Sequence, residues 1–292
     1  MTRDTAAEAG DSDAQNNLGN LLANQLDPPE LDEARRWYTA AAEAGQIDAQ
    51  NNLGNLLADE LDPPDLGEAR RWYTAAAEAG HTDAQNNLGV LLETQLDPPE
   101  VEEARRWFTA AAEAGHTDAQ NSLGFLLANQ VDPPEVEEAR RWYTAAAEAG
   151  NTDAQNNLGV LLAIQLDPPE VEEARRWYTA AAEAGNTDAQ NNLGVLLETQ
   201  LHPPEVEEAR RWYTAAAEAG DTDAQVNLAN LLATQWDPPE LEEARRWYTA
   251  AAEADHTDAQ VNLATLLATQ WDPPELAEAR RWVYRRRRSR QC

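Results

Sequence analysis

The sequence contains no lysine: all 22 basic residues are arginine, set against 53 acids, for a formal charge of −31. A surface of that sign repels nucleic acid and anionic membranes and suits a cationic partner. Cysteine occurs once, at Cys292, which excludes an intramolecular disulfide framework and a cysteine metal cluster. Serine is limited to Ser12, Ser122 and Ser289, the first two at a helix start and inside a repeated helix, so no nucleophile–base–acid set stands out. The expectation is a protein without enzymatic activity, cofactor or metal. No apolar run approaches the ~20 residues that span a bilayer, and the opening residues lack the apolar core of a signal peptide. The expected location is cytoplasmic, unless an N-terminal truncation hides a signal sequence.

What the chain has in abundance is repetition. Gly10, Gly45, Gly80, Gly115, Gly150, Gly185 and Gly220 recur at a spacing of 35, and Asp255 takes the next place. A fixed period of this length marks a stacked array, in which each unit buries its core against its neighbours. The expected division is a partial helix at 1–10, an array at 11–284, and an arginine-rich tail at 285–292. The array splits into units 11–45, 46–80, 81–115, 116–150, 151–185, 186–220, 221–255 and 256–284.

Each unit predicts two helices. The first opens at Thr82, with Gln85 three residues on as a capping box. Ala84, Leu88, Leu91 and Leu92 then share one face. Gly89 recurs in mid-helix, where glycine costs about 1 kcal/mol against alanine, so a neighbouring helix is expected to approach closely there. The second helix starts between Asp97 and Glu100, with Asp97 as its cap and the prolines in its first turn. Glu102 and Arg106 form an i,i+4 pair. Val101, Ala104, Phe108, Ala111 and Ala112 make the apolar stripe, with Trp107 at its edge in a packing role. Gly115 ends the helix in left-handed geometry. The fold class is all-α, an α-solenoid of about eight antiparallel helix pairs.

The residues Leu88-Gly89, Ala104, Trp107-Phe108, Ala111-Ala112 and Gly115 resemble the Sel-1-like repeat family, a relative of the tetratricopeptide repeats. The resemblance covers nearly all of residues 5–284; it departs from the family where Asp-Pro-Pro-Glu replaces a glycine-rich link. It implies a superhelical solenoid whose members are adaptors and scaffolds, and it implies no catalysis.

His81, His116 and His256 lie in the turn after the glycine, and His202 replaces an aspartate; they read as solvated turn residues rather than metal ligands. Glu170, Glu172 and Glu173 complement a helix dipole rather than hold a cation. The positions that differ between units are more informative. By analogy with tetratricopeptide arrays, the stripe through residues 83, 86, 90 and 93 lines the concave face. Candidate contacts there are Asn51, Asn86, Val90, Glu93, Asn121, Phe125, Asn156, Val160, Asn191, Val195 and Glu198. The ladder Asn51, Asn86, Asn121, Asn156 and Asn191 suits hydrogen bonds to an extended peptide. Its companions, such as Asn87, are expected to bond the adjacent repeat, and Phe125 is a candidate apolar anchor. The expected function is a protein-interaction scaffold that takes an extended, basic segment in its groove. The alternative is a decayed structural array, a fragment of a larger regulatory protein with no ligand of its own.

The tail, Val283 to Cys292, carries five arginines. Codons for it, read one base out of frame, give Tyr-Thr-Ala-Ala-Ala-Glu-Ala-Gly, the continuation of the repeat. The tail is therefore expected to be a frameshift product of a longer array rather than a nucleic-acid motif. With no polar capping repeat at either end, end-to-end self-association is a further expectation.

Overall fold

The computed structural model describes residues 3–289 apart from 167, 236–237 and 271–273. The last tail residues, 290–292, and the side chains from 284 onward lie outside the described residues. Among the described residues there are seventeen α-helices and no strand.

The chain forms two compact units, Met1–Asn151 and Thr152–Cys292. The first holds α1 (Arg3–Glu8) and four helix pairs. These are α2 (Ser12–Asn24) with α3 (Leu31–Glu43), α4 (Ile47–Asn55) with α5 (Leu66–Glu78), α6 (Thr82–Val90) with α7 (Val101–Glu113), and α8 (Thr117–Asn129) with α9 (Val136–Glu148). The second unit holds α10 (Thr152–Val160) with α11 (Val171–Glu183), α12 (Thr187–Thr199) with α13 (Val206–Glu218), α14 (Thr222–Thr234) with α15 (Leu241–Glu253), and α16 (Thr257–Thr269) with α17 (Leu276–Ser289). Within each unit every helix packs on the next in sequence. Helices α4, α6 and α10 each end in a π-helical turn.

The helix starts differ from expectation. The first helix of the third pair is capped by His81, not Thr82: His81 Nδ1 accepts the Ala84 N–H at 3.2 Å. Gln85 does not turn back to complete a capping box; its Nε2 donates to Ala77 O on α5 at 3.1 Å. The capping position therefore admits Asp11, Gln46, His81, His116, Asn186, Asp221 and His256, because each supplies an acceptor to the N–H three residues on. Most also donate backwards. His81 and His116 set Nε2 at 3.3 and 3.2 Å from Asp48 and Asp83 of the preceding first helix. Asn186 Nδ2 donates to Asp153 at 2.9 Å. With Nδ1 accepting from the helix start and Nε2 facing the aspartate, each ring bridges two helices.

Asp97 does not cap the second helix either. Helix α7 starts at Val101 with Glu100 as N-cap, and both prolines lie in the linker, which contains a cis Asp97–Pro98 bond. The linker closes through Glu100 N–H donating to Leu92 O at 2.8 Å. The Glu100 side chain makes no cap bond. It instead receives both arms of Arg70, at 2.7 and 2.9 Å, from the preceding second helix. The same bidentate clasp joins Arg105 to Glu135, Arg175 to Glu205, Arg210 to Glu240 and Arg245 to Glu275. A planar guanidinium matches a carboxylate in this way where lysine would not, which gives the absence of lysine a structural sense. The arginines hold the Glu100, Glu135, Glu205 and Glu240 carboxyls below the usual carboxylate range. Their contribution to stability is thus present at neutral pH and is lost as acid protonates them. Arg71, Arg106, Arg176, Arg211 and Arg246, the second arginines of their helices, lie over the adjacent tryptophan, as Arg106 does over Trp107 at 4.9 Å rather than serving Glu102.

Helix ends follow expectation. Gly115 has φ +89, its N–H donates to Ala112 O at 3.0 Å, and the His116 N–H donates to Ala111 O at 3.0 Å, a Schellman motif. Asp255 adopts the same geometry at φ +64 with a Cβ to accommodate.

Two outcomes follow. Asp255→Gly relieves a left-handed backbone and should stabilise the second unit by roughly 1 kcal/mol, read as a higher urea midpoint. Asp221, desolvated and facing Asp188 and Asp223, has its carboxyl pushed up. An acid held high is destabilising once ionised, so the penalty develops as pH rises through the carboxylate range. Asp221→Asn, which copies the donor of Asn186, should stabilise by about 1 kcal/mol at neutral pH, and the gain should vanish in acid melts.

Candidate interaction face

The face in question is built by the first helices, and its spacing from the second helices is set by glycine. A Cβ at Gly89 would stand 2.6 Å from the Phe108 ring, and at Gly54 2.5 Å from the Tyr73 ring. The close approach expected from the recurring glycine is thus a contact of bare backbone with an aromatic face. The ring hydroxyl then emerges beside the variable stripe. Tyr38 donates to Asn20 at 2.7 Å, Tyr73 to Asn55 at 2.8 Å and Tyr248 to Asn230 at 2.5 Å. Where the stripe carries Val195, Glu198 accepts the Tyr213 hydroxyl at 3.0 Å instead. Where it carries Val90, the ring is Phe108 and has no hydroxyl to satisfy. Much of the variation along the stripe is therefore packing chemistry.

The asparagine ladder is likewise engaged. Asn87 Nδ2 donates to Asn51 Oδ1 at 3.2 Å and to Asn55 Oδ1 at 3.0 Å. Asn52 does the same to Asn16 and Asn20. In the second unit Asn192 donates to Asn156 and Asn227 to Asn191, each at 2.9 Å. The companion asparagines thus tie each repeat to the preceding one. Asn51 and Asn156 are buried, and with Asn191 they already accept one hydrogen bond each through Oδ1 from the following repeat. Asn86 and Asn121 are half-buried. The Asn86 Oδ1 is buried without a hydrogen-bond partner. Its expected donor is at 122, where the companion asparagine is replaced by Ser122, whose side chain is too short.

The remaining candidates fall in two groups. Val160 and Val195 in the second unit are half-exposed, and Glu198 is committed to Tyr213. In the first unit Asn55, Asp59, Glu60, Tyr73, Val90 and Gln95 line a polar pocket of about 350 Å³. One repeat on, Glu93 is 9 % exposed; desolvation pushes its carboxyl up, partly offset by a bond from Gln130 Nε2 at 2.6 Å. Phe125, on α8, is 44 % exposed. The equivalents of Glu93 at Ala128 and Ala163 show that packing does not require a carboxylate there. Sequence reading did not identify the cap histidines as helix-bridging groups; the signal was that every residue at that position can accept a hydrogen bond.

Among the described residues no group of three or more His, Cys, Asp or Glu side chains is placed to hold a metal ion. No described helix is long and apolar enough to cross a membrane. Ser122→Asn should give Asn86 Oδ1 its donor and stabilise the first unit by about 1 kcal/mol; paired with Asn86→Ala, the gain should disappear in a double-mutant cycle.

Comparison with known proteins accords with this architecture. The Sel1 repeat profile matches at 12–46, 47–81, 82–116, 117–151, 152–186, 187–221 and 222–256. Among solved structures, c5321, a protective antigen present in uropathogenic Escherichia coli strains and displaying an SLR fold, is 29% identical with a TM-score of 0.78. The match covers 91% of this chain but 58% of that one, so the chain spans little more than half of its length. A Sel1 repeat protein from Oxalobacter formigenes is 26% identical with a TM-score of 0.72, over 98% of this chain and 85% of that one. No curated protein matches the sequence. With seven consecutive repeat matches on an all-α solenoid, the chain belongs to the Sel1 repeat family, whose members generally act as scaffolds for protein interaction.

Proposed function

We propose that the chain is a non-enzymatic interaction scaffold whose first-helix face, in the unit Met1–Asn151, receives an extended basic segment of another protein. The observation that carries this reading is the coincidence of exposed Phe125 with Glu93, a desolvated carboxylate that packing does not demand. Asp59 and Glu60 in the neighbouring pocket add negative charge, and no basic side chain lines that pocket. An apolar anchor beside carboxylates suits a segment that alternates arginine or lysine with an apolar residue. The whole-chain charge of −31 favours encounter with such a partner.

The test uses substitutions that other repeats already carry. An array of extended peptides that pair arginine with leucine is probed with the full chain, with Glu93→Ala and with Phe125→Val. Each substitution should weaken the strongest binder about tenfold, or about 1.4 kcal/mol. A cation beside Glu93 lowers its raised pKa, so binding releases a proton and strengthens as pH rises through the upper carboxylate range. Glu93→Ala should flatten that dependence. Equal binding by all three proteins would refute the assignment to this face, and failure of every peptide would favour an array without a ligand of its own.

A further inference from the structure

Inside each unit, the second helix of one pair meets the first helix of the next, and the contact has two parts. One is apolar: Ala49 and Leu53 on α4, and Leu56 in the π-helical turn that ends it, are 0, 1 and 2 % exposed beside α3. The other is ionic: Arg245 on α15 clasps Glu275 and also reaches Glu278 at 2.9 Å. Both halves of this junction recur unsatisfied at two places in the chain. On α2, Ala14, Leu18 and Leu21, the equivalents of those residues, are only half-buried. On α17, Leu276 and Val283 are 54 and 43 % exposed. With Val261 and Ala264 of α16 they line a largely apolar groove of about 470 Å³. The charges match in the same way. Arg280, at the wall of that groove, stands where Arg245 stands one repeat earlier, yet among the described residues it makes no ion pair. Glu30 and Glu33, placed on the first pair as Glu275 and Glu278 are on the last, likewise make no side-chain ion pair among the described residues.

We infer that the chain associates with itself head to tail, α2 of one copy seating in the groove between α16 and α17 of another and repeating the junction that joins the repeats. The occupant is specified by the chain itself: Leu18 and Leu21 present the side chains that fill this groove at internal junctions, and Glu30 and Glu33 meet Arg280. Such a contact is heterologous and does not close on itself, so copies add without a fixed number. Residues 284–289 of one copy and α1 of the next hold the same place in the array, so one of these half helices gives way. α1 is six residues long and is held by buried Ala7 and a bond from Gln15 Nε2 to Ala7 O at 3.1 Å. The net charge opposes association, so the measurement belongs at about 0.15 M salt, where charges are screened beyond about 8 Å.

Analytical ultracentrifugation of the full chain should show a weight-average mass that rises with concentration past that of a dimer. Leu18→Glu removes one face and Leu276→Glu the other. Each variant alone should stay monomeric, with an unchanged helical circular dichroism spectrum, while an equimolar mixture forms a dimer and stops. Arg280→Glu and the pair Glu30→Arg, Glu33→Arg keep the inference testable if a leucine variant fails to fold. Each should weaken association by about fivefold or more, and mixing the two should restore it. A monomeric parent would overturn the inference, as would a dimer of Leu18→Glu or of Leu276→Glu alone, or variants that do not rescue each other.

Discussion

The structure depends on a contact in which a residue type is missing. At Gly19, Gly54, Gly89 and Gly124 in the first unit, and at Gly159 and Gly194 in the second, a Cβ would meet an aromatic ring at 2.5–2.8 Å. The helix gives up about 1 kcal/mol of intrinsic propensity at each glycine and gains a flat backbone face for the ring. That approach lets Ala34, Ala69 and Ala104, all fully buried, serve as the opposing core in place of larger residues. It also sets where the ring hydroxyl emerges, and so which polar residue must stand on the neighbouring stripe. Ala229 opposite Tyr248 marks the tolerance of the arrangement: one methyl is accepted late in the array, and the ring remains buried at 4 % exposure.

A second constraint acts along each unit. Neighbouring repeats are tied by up to three polar devices: the arginine clasp, the asparagine pair, which is missing where Ser122 stands, and the bridging cap residue. Each is short-ranged, and each joins position n to a position 30 to 37 residues away. Cohesion in a solenoid is of this nearest-neighbour kind, which is why the same few side chains recur with the period of the backbone. The arginine clasps are half-exposed, so each contributes modestly; their bidentate geometry fixes the register between second helices.

The sequence made the helix pairs, the glycine stops and the close approach legible because period, apolar spacing and left-handed caps are written locally. It did not reveal which residue caps, since Thr82 satisfies the usual pattern while His81 performs the role through a ring nitrogen. Nor did Asp97 announce that two prolines would hold it outside the helix, leaving Glu100 both as N-cap and as the target of Arg70. Each of these residues also has a partner about a repeat distant, Asp48 for His81 and Arg70 for Glu100, beyond the reach of local pattern. The candidate face was legible in position but not in role. The outer asparagines were visible as a ladder; that their oxygens serve the next repeat depends on the rotation of each helix about its axis.

Comparison of near-identical repeats separates two kinds of variation once the contacts are known. Asn20, Asn55 and Asn230 vary with a hydroxyl to be satisfied, and Glu198 substitutes for them through Tyr213. Glu93 cannot be explained that way, because the ring of its own pair is Phe108. Its carboxyl is desolvated at a cost, takes one bond from Gln130, and occupies a place where alanine suffices elsewhere. Glu93, whose place alanine takes elsewhere, and the exposed Phe125 are therefore the two residues on which the proposed recognition of a basic segment rests.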